Sequence, residues 1–434
     1  MNLESLHDES DRTSSVRSAR TALGLAGWLL LTLLLPLSAE AGGLYANELS
    51  TTSQGNAGAG RGAWVPDASA TLHNPASMSE LDDHGFAGGL SPVFGDVQFD
   101  PSSTSPSGDR SGSNQVDFAA LASFSYAHKV SDRVRFGLSF FSPAGSALDP
   151  NDSWAGRFQM TEISLVVLGI SPTLAVRLTD WLSIGGGPIA NYGVLDWNLR
   201  VAPILPTGPE REVKIDELDD WEASGQVGIL LTPRPDLSFS VHYRSKTKFN
   251  LSGDLRLPAG FSASLDSDLE LAQTVEVSAY WQVNDELALL GTFNWEDWSG
   301  ADGLEISLAG RTVNAQVGWE DSYKIGVGAN YQISDAWLLQ TGIMYDTAAL
   351  KNKNRTTALP VDEQVRFSIG ALYDLTESTT LGFSFTYVNL GQAEVRQPTV
   401  RGDYKNNDLF VLGFNVAFDK LPWSGKLTLS DSTL

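Results

Sequence analysis

One short pattern, repeated six times, constrains this chain more than any other feature. It reads Val130-Ser131-Asp132-Arg133-Val134, Leu178-Thr179-Asp180-Trp181-Leu182, Pro233-Arg234-Pro235-Asp236-Leu237, Val283-Asn284-Asp285-Glu286-Leu287, Ile333-Ser334-Asp335-Ala336-Trp337 and Leu375-Thr376-Glu377-Ser378-Thr379. Each sets Ser, Thr, Asn or Pro beside Asp or Glu, whose side chains hydrogen-bond a tight turn and end the preceding strand. Apolar alternation resumes after each one. Between them, longer polar or Gly/Pro-rich connections centre on 95–115, 143–159, 201–217, 251–267, 299–318, 348–361 and 391–405. Six short and seven long connections in strict alternation predict fourteen antiparallel strands with both ends on the short-turn side. An even strand count with short turns at one end and long loops at the other is the architecture of an outer-membrane barrel.

The strands have period two. Leu237, Phe239, Val241 and Tyr243 take one face while Ser238, Ser240, His242 and Arg244 take the other. Val365, Phe367 and Ile369 alternate with Arg366, Ser368 and Gly370, and Leu381, Phe383, Phe385 and Tyr387 with Gly382, Ser384 and Thr386. Alternation alone does not separate a soluble sandwich from a barrel with lipid outside. Strand length tips the balance toward a barrel: Met160 to Arg177 and Leu182 to Val201 exceed both a globular strand of about 5–6 residues and the roughly 9–11 that span a bilayer. Trp181, Trp281, Trp298, Trp319, Trp337, Tyr331 and Tyr373 stand near strand ends, where an interfacial girdle belongs. Phe410, Leu412, Phe414, Val416 and Phe418 form a closing strand, past which residues 419–434 continue as a C-terminal extension.

A mean hydropathy of −0.11 is too low for a helical membrane protein and fits walls that are half polar. The chain has no cysteine, which excludes disulfides and thiolate metal sites. Its net charge of −23 argues against a nucleic-acid partner, which needs a basic footprint. Thr21 to Leu37 is an apolar run followed by Ser38-Ala39-Glu40-Ala41, so residues 1–41 read as a signal peptide cleaved before Gly42, with a membrane anchor as the competing reading. Residues 42–84 match neither helix nor strand by pattern: five glycines fall between Gly42 and Gly60. This stretch reads as a plug, or hatch, inside an all-β barrel formed by residues 85–418.

Several local motifs occur in a specific order. They are Gly55-Asn56-Ala57-Gly58-Ala59-Gly60, Asp67-Ala68-Ser69, Asn74-Pro75-Ala76, Phe141-Ser142-Pro143-Ala144-Gly145, Trp154-Ala155-Gly156-Arg157-Phe158, Trp319-Glu320-Asp321-Ser322-Tyr323-Lys324 and Thr341-Gly342-Ile343-Met344-Tyr345-Asp346, then Arg355, Pro360 and Arg366. With these, most of the mature chain resembles the outer-membrane hydrophobic-compound transporters of the FadL/TodX type. The resemblance implies a monomeric, 14-stranded antiparallel transmembrane β-barrel in the outer membrane of a Gram-negative bacterium, set among its lipids and lipopolysaccharide. It also implies diffusive uptake of long-chain fatty acids or, alternatively, of hydrocarbons and aromatic compounds, with sideways exit into the membrane. A general polar porin is the other reading of the same walls.

A hydrophobic solute must be collected by an apolar surface at the outer end. The loop Val201-Ala202-Pro203-Ile204-Leu205-Pro206 and the loop carrying Leu251, Leu255, Leu257, Phe261 and Leu265 are the candidates, or these residues pack the loops onto each other. A carboxylate head group calls for an inward Arg or Lys. Parity turns Arg135, Arg244, Lys324 and Arg366 inward, and Arg157 and Arg200 lie near loop junctions; Lys324 and Arg366 are expected to face one cavity. Pairing with lumenal acids such as Glu276 or Glu320 is the alternative for each. Asn74-Pro75-Ala76 is expected to brace the hatch against the wall, since Pro75 has no N–H to donate. By the resemblance its partner is the third strand, where Gly137 would mark a break in pairing. No catalytic set is expected: the four histidines beyond the leader, His73, His84, His128 and His242, stand in no nucleophile motif. The acidic run Asp216, Glu217, Asp219 and Asp220 matches no metal loop and reads as solvated loop. No cofactor or metal is called for.

Overall fold

The computed structural model describes residues 45–47, 50–202, 208–301, 303–308, 311–316 and 318–418. The leader, the start of the expected hatch, Leu205 and the extension 419–434 lie outside them. In chain order the strands are β1 (Gly85–Pro101), β2 (Ala119–Lys129), β3 (Val134–Leu148), β4 (Glu162–Thr179), β5 (Leu182–Val201), β6 (Arg211–Arg234) and β7 (Leu237–Arg244). A hairpin of β8 (Thr247–Leu257) and β9 (Phe261–Leu271) follows, then β10 (Thr274–Gln282) and β11 (Leu287–Glu296). A second hairpin, β12 (Gly303–Leu308) and β13 (Arg311–Gln316), precedes β14 (Ser322–Ser334), β15 (Trp337–Asp346), β16 (Gln364–Thr376) and β17 (Thr379–Asn389). The short β18 (Val395–Arg396) leads into β19 (Arg401–Phe418).

Each wall strand pairs antiparallel with the next, stepping from β7 to β10, β11 to β14 and β17 to β19 past the hairpins. Phe86 of β1 pairs with Tyr126 of β2 and with Phe418 of β19, so the wall closes. Fourteen strands make the ring. All six tight turns stand where the repeated pattern put them. In one, Asn284 Oδ1 accepts from the Glu286 amide at 3.0 Å and the Leu287 amide at 2.8 Å, the side-chain-to-turn bond expected of such residues.

Side-chain exposure resolves the sandwich-or-barrel ambiguity. Phe367 and Ile369 are 47% and 49% exposed while their neighbours Arg366 and Ser368 are 6% and 0% exposed. A soluble sheet buries the apolar face; here the polar face is inside and the apolar face is outside, which only a lipid solvent favours. The girdle is corrected in part. Trp181, Trp281, Trp337 and Tyr331 are exposed on the wall, and Tyr373 stacks on Trp337 at 4.6 Å. Trp298 and Trp319 are instead buried, 5.6 Å apart, with Tyr45 against Trp298.

The loops are shorter than expected because the strands run on past the wall's apolar band. Asp216, Glu217, Asp219 and Asp220, read as solvated loop, belong to β6, whose pairing with β5 shifts register between Leu195 and Trp197. The stretch 251–267 is a hairpin that extends the wall by pairing β8 with β6. Leu251, Leu255, Leu265 and Leu269 fall on its inner face and join the main apolar cluster with Trp197, Leu199 and Ile215. Residues 50–84, expected to lack regular structure, hold two short helical turns, Thr51–Gln54 and Ala70–His73, and a 3-10 turn, Pro75–Glu80. Most residues of this segment between Thr52 and Ser79 are buried, several in contact with inward residues of the wall.

Candidate functional site

The N-terminal segment meets the wall through polar contacts. Asn56 donates to Asn330 Oδ1 at 2.9 Å, and Gln340 of β15 donates to Asn56 Oδ1 at 2.7 Å. Gly60, with φ of 72°, donates to Thr292 Oγ1 at 2.8 Å; a left-handed residue here favours glycine. Arg61 pairs with Glu276 of β10. Near the short-turn end, Arg135 donates to the Leu81 carbonyl at 3.0 and 2.7 Å.

Asn74-Pro75-Ala76 meets the wall, at partners other than the expected Gly137. A Cβ at Gly185 of β5 would stand 2.6 Å from the Ala76 amide nitrogen, and one at Gly228 of β6 would stand 1.8 Å from Asn74 Oδ1. Asn74 Nδ2 also donates to the Ile229 carbonyl at 3.0 Å. Gly137 instead lies beneath Thr71 and Met78, and its pairing with Ala127 and Thr173 is continuous. The wall is interrupted elsewhere. On β3 the register slips between Phe141 and Ala144, where Ala46 donates to the Pro143 carbonyl at 3.0 Å. Between β4 and β5, Ile170 pairs with Ala190 and Leu174 with Gly186 in one register, which sets Pro172 opposite Pro188. No pairing is made across residues 171–173, because neither proline has an N–H to exchange.

Toward the long-loop end an apolar cavity of about 250 Å³ lies between strands β1 to β4 and β16 to β19. Val93, Leu121, Leu165, Val388 and Val411 line it, Leu359 and Pro360 cap it, and Gln364 and Arg366 supply its polar end. The cap is held by Arg355, fully buried in the loop 347–363, which donates to the Leu350 and Val361 carbonyls and pairs with Asp362 at 2.9 Å. Sequence reasoning noted Arg355 and Pro360 only as motif residues and missed this cavity. Its apolar lining comes from inward positions above the polar lumen, an exception to parity that only the closed ring reveals.

Lys324 and Arg366 are both buried and inward, but they line different cavities. Lys324 Nζ is 2.7 Å from Glu296 Oε1 and 3.6 Å from Asp346 Oδ2, and Arg366 Nη1 is 3.6 Å from the same Asp346 oxygen. Trp298 Nε1 and Ser322 Oγ also donate to Glu296. The acids that pair with these cations are thus Glu296 and Asp346. Glu276 serves Arg61, and Glu320 is an exposed partner of Lys351, outside the lumen. Arg157 and Arg200 fasten outer loops: Arg157 holds Glu210 at 2.7 Å and keeps its carboxyl below the ordinary range, while Arg200 pairs with Asp152 at 2.7 Å. Leu257 packs on the main cluster at the β8–β9 tip, and Phe261 is 66% exposed there. Neither lines the apolar cavity. His73 and His242 are buried polar fillers bonded to Ser53 and Gln226, and His84 stacks on His128 at 4.2 Å.

Comparison with known proteins agrees with this arrangement. The long-chain fatty acid transport protein of Escherichia coli (strain K12) is 24% identical over 447 residues, covering 92% of this chain and 100% of the relative. Outer membrane protein P1 of Haemophilus influenzae (strain ATCC 51907 / DSM 11121 / KW20 / Rd) is 23% identical over 419 residues, covering 85% and 90%. Among solved structures, a Pseudomonas aeruginosa FadL homologue superposes with a TM-score of 0.81 at 18% identity, covering 87% and 99%. The Pseudomonas putida toluene transporter TodX gives 0.69 at 15% identity, covering 87% and 100%. The profile of the family described as outer membrane protein transport protein (OMPP1/FadL/TodX) matches residues 32–418, and the chain, an outer-membrane β-barrel, belongs to that family.

Proposed function

We propose that this chain is a plugged channel for hydrophobic solutes, with long-chain fatty acids as its main cargo. The observation that carries the reading is the apolar cavity, whose polar lining includes Gln364 and Arg366. An apolar lining removes a solute's tail from water, and a guanidinium beside an amide suits a carboxylate. Residues 42–84 act as the hatch and residues 85–418 as the channel wall. A general polar porin fits less well, since side chains of residues 50–84 are bonded to inward groups of the wall, as Asn56 is to Asn330 and Ser79 to Ser183. Hydrocarbons are the second reading, favoured by size: about 250 Å³ is below the roughly 300–1,000 Å³ of ordinary ligand sites, which suits a single ring.

Passage needs no bond to be made or broken, and the arrangement supports binding rather than catalysis, with no cofactor or metal. Arg157, Arg200, Leu257 and Phe261 serve the outer rim, where solute is first met. Release runs sideways through the unpaired window at Pro172 and Pro188, beside the Asn74-Pro75-Ala76 brace. The barrel acts as a monomer among outer-membrane lipids and lipopolysaccharide. Titration of the detergent-folded chain with palmitate and with toluene tests the reading. The half-buried Leu121 lines the cavity, so Leu121→Trp should fill it and weaken whichever solute binds by at least about tenfold. Undiminished binding in that variant would remove the cavity from the path.

A further inference from the structure

The barrel holds a second cavity, smaller and polar, which adjoins the apolar one at the shared lining residues Tyr45 and Ala46. Three cations line it, Arg61, Arg244 and Lys324, and two carboxylates, Glu276 and Glu296. Arg61 is paired with Glu276, and Lys324 stands 2.7 Å from Glu296. Those two pairs offset one another. Arg244 is left over. Among the described residues no carboxylate is in ion-pair range of it; its Nη2 donates to the Leu72 carbonyl at a long 3.4 Å, and its Nε is buried without a partner. The Phe141 ring, 5.3 Å from Cζ, covers one face of the guanidinium. Asn47 supplies a second unspent donor. Its Oδ1 accepts from Lys324 Nζ at 3.3 Å, which fixes the amide's orientation, and its Nδ2 is buried with no acceptor. The side chain is only 6% exposed and lines the same cavity.

A half-buried cation without a counter-charge is costly, and so is a buried donor without an acceptor. Two such groups lining one cavity have a shared remedy, an anion with more than one acceptor oxygen. Of the histidines lining the cavity, His242 Nε2 is bonded to Gln226 and His73 Nε2 to Ser53. At about 40 Å³ the cavity has room for a head group and none for a tail. We propose that this second cavity is a carboxylate subsite, in which Arg244 and the Asn47 amide receive the head group of a fatty acid whose tail occupies the apolar cavity beyond Tyr45 and Ala46. The inference rests on the hydrophobic-solute reading and gives the head group a second station, which the acid reaches after the one at Arg366.

The test uses the full chain folded in non-ionic detergent, titrated calorimetrically with palmitate and with its uncharged methyl ester. Heat-modifiable migration verifies that each variant is folded. Arg244→Met should weaken palmitate by about ten- to a hundredfold and leave the ester unchanged, because only the charge-assisted bond is lost. Arg244→Lys should recover most of the loss. Asn47→Leu, outside the wall, should weaken palmitate severalfold with the same selectivity, and it serves if Arg244→Met does not fold. Equal losses for acid and ester, or no loss, would overturn the subsite while leaving the channel reading intact. Failure of the native chain to bind either compound would bring down the channel reading itself. Sodium acetate provides the remaining arm: if acetate binds as tightly as palmitate, the occupant is a free small anion and the fatty-acid subsite is overturned.

Discussion

Lys324 stands between two acids, its Nζ 2.7 Å from Glu296 Oε1 and 3.6 Å from Asp346 Oδ2. Parity turned it inward with Arg366, and both are indeed buried in the lumen. Its partners could not be read, because Glu296 and Asp346 end β11 and β15, the strands on either side of β14, and both adjacencies exist only once those strands pair. Lys324 has two acids to hold, and Glu296 is itself held by Trp298 and Ser322. Removing one partner of such a pair leaves a buried charge unsatisfied, which costs about 3–5 kcal/mol. Lys324→Met should therefore lower the heat-modification temperature of the folded barrel and weaken acid and neutral solutes alike. Arg366→Met, at the polar end of the apolar cavity, should weaken palmitate by about tenfold and spare toluene. Equal losses for both solutes in the Arg366 variant would make it a structural ion as well. The same logic explains Arg244, whose inward parity was plain while its lack of an acid was not.

At the scale of elements, the turns were the legible part, since each carries its own hydrogen-bonding side chains and depends on no distant residue. The hairpin β8–β9 was not legible as structure, because its apolar period is shared by any greasy loop. The interruption in the wall was misplaced for a related reason. Gly137 looked like a weak point, yet a glycine keeps its N–H and pairs normally here. Prolines do not, but two of them weaken one place only when register sets them opposite, as with Pro172 and Pro188. Both N–H···O bonds that this pair would exchange are missing, and the brace Asn74-Pro75-Ala76 presses on Gly185 and Gly228 nearby. Ser171 and Ile189 flank the window in register and are both buried on the inner face. Such neighbours stand about 4.5–5.5 Å apart at Cα, within reach of a disulfide. In a Ser171→Cys/Ile189→Cys variant the oxidised barrel should lose uptake of palmitate into cells, and reduction should restore it. Uptake that is indifferent to the bridge would place the exit elsewhere in the wall.

For the whole molecule, the ring and the segment inside it are separable in their bonding. Closure is made by backbone pairs between β1 and β19, none of which involves residues 50–84. The segment is tied in by side chains instead: Asn56 to Asn330, Arg61 to Glu276, Ser79 to Ser183 at 2.7 Å, and Thr52 to Asn415. A wall of fourteen strands is wide enough that its own side chains do not fill the lumen, so an inner occupant is needed to keep ions out. Glycine spacing in the sequence excluded a packed strand face over Gly55 to Gly60. It could not announce the helical turns, which are set by contact with the wall rather than by propensity. Deleting residues 50–82 should therefore leave a chain that still folds and closes, at lower stability, because some buried wall groups lose their partners. Its lumen would be lined by Arg135, Glu276, Lys324 and other charges and would fill with water. In planar bilayers the deletion variant should conduct ions steadily where the complete chain conducts little. A deletion variant that folds, migrates as a closed barrel when unheated and remains non-conducting would show that the outer loops, and not the inner segment, seal the channel.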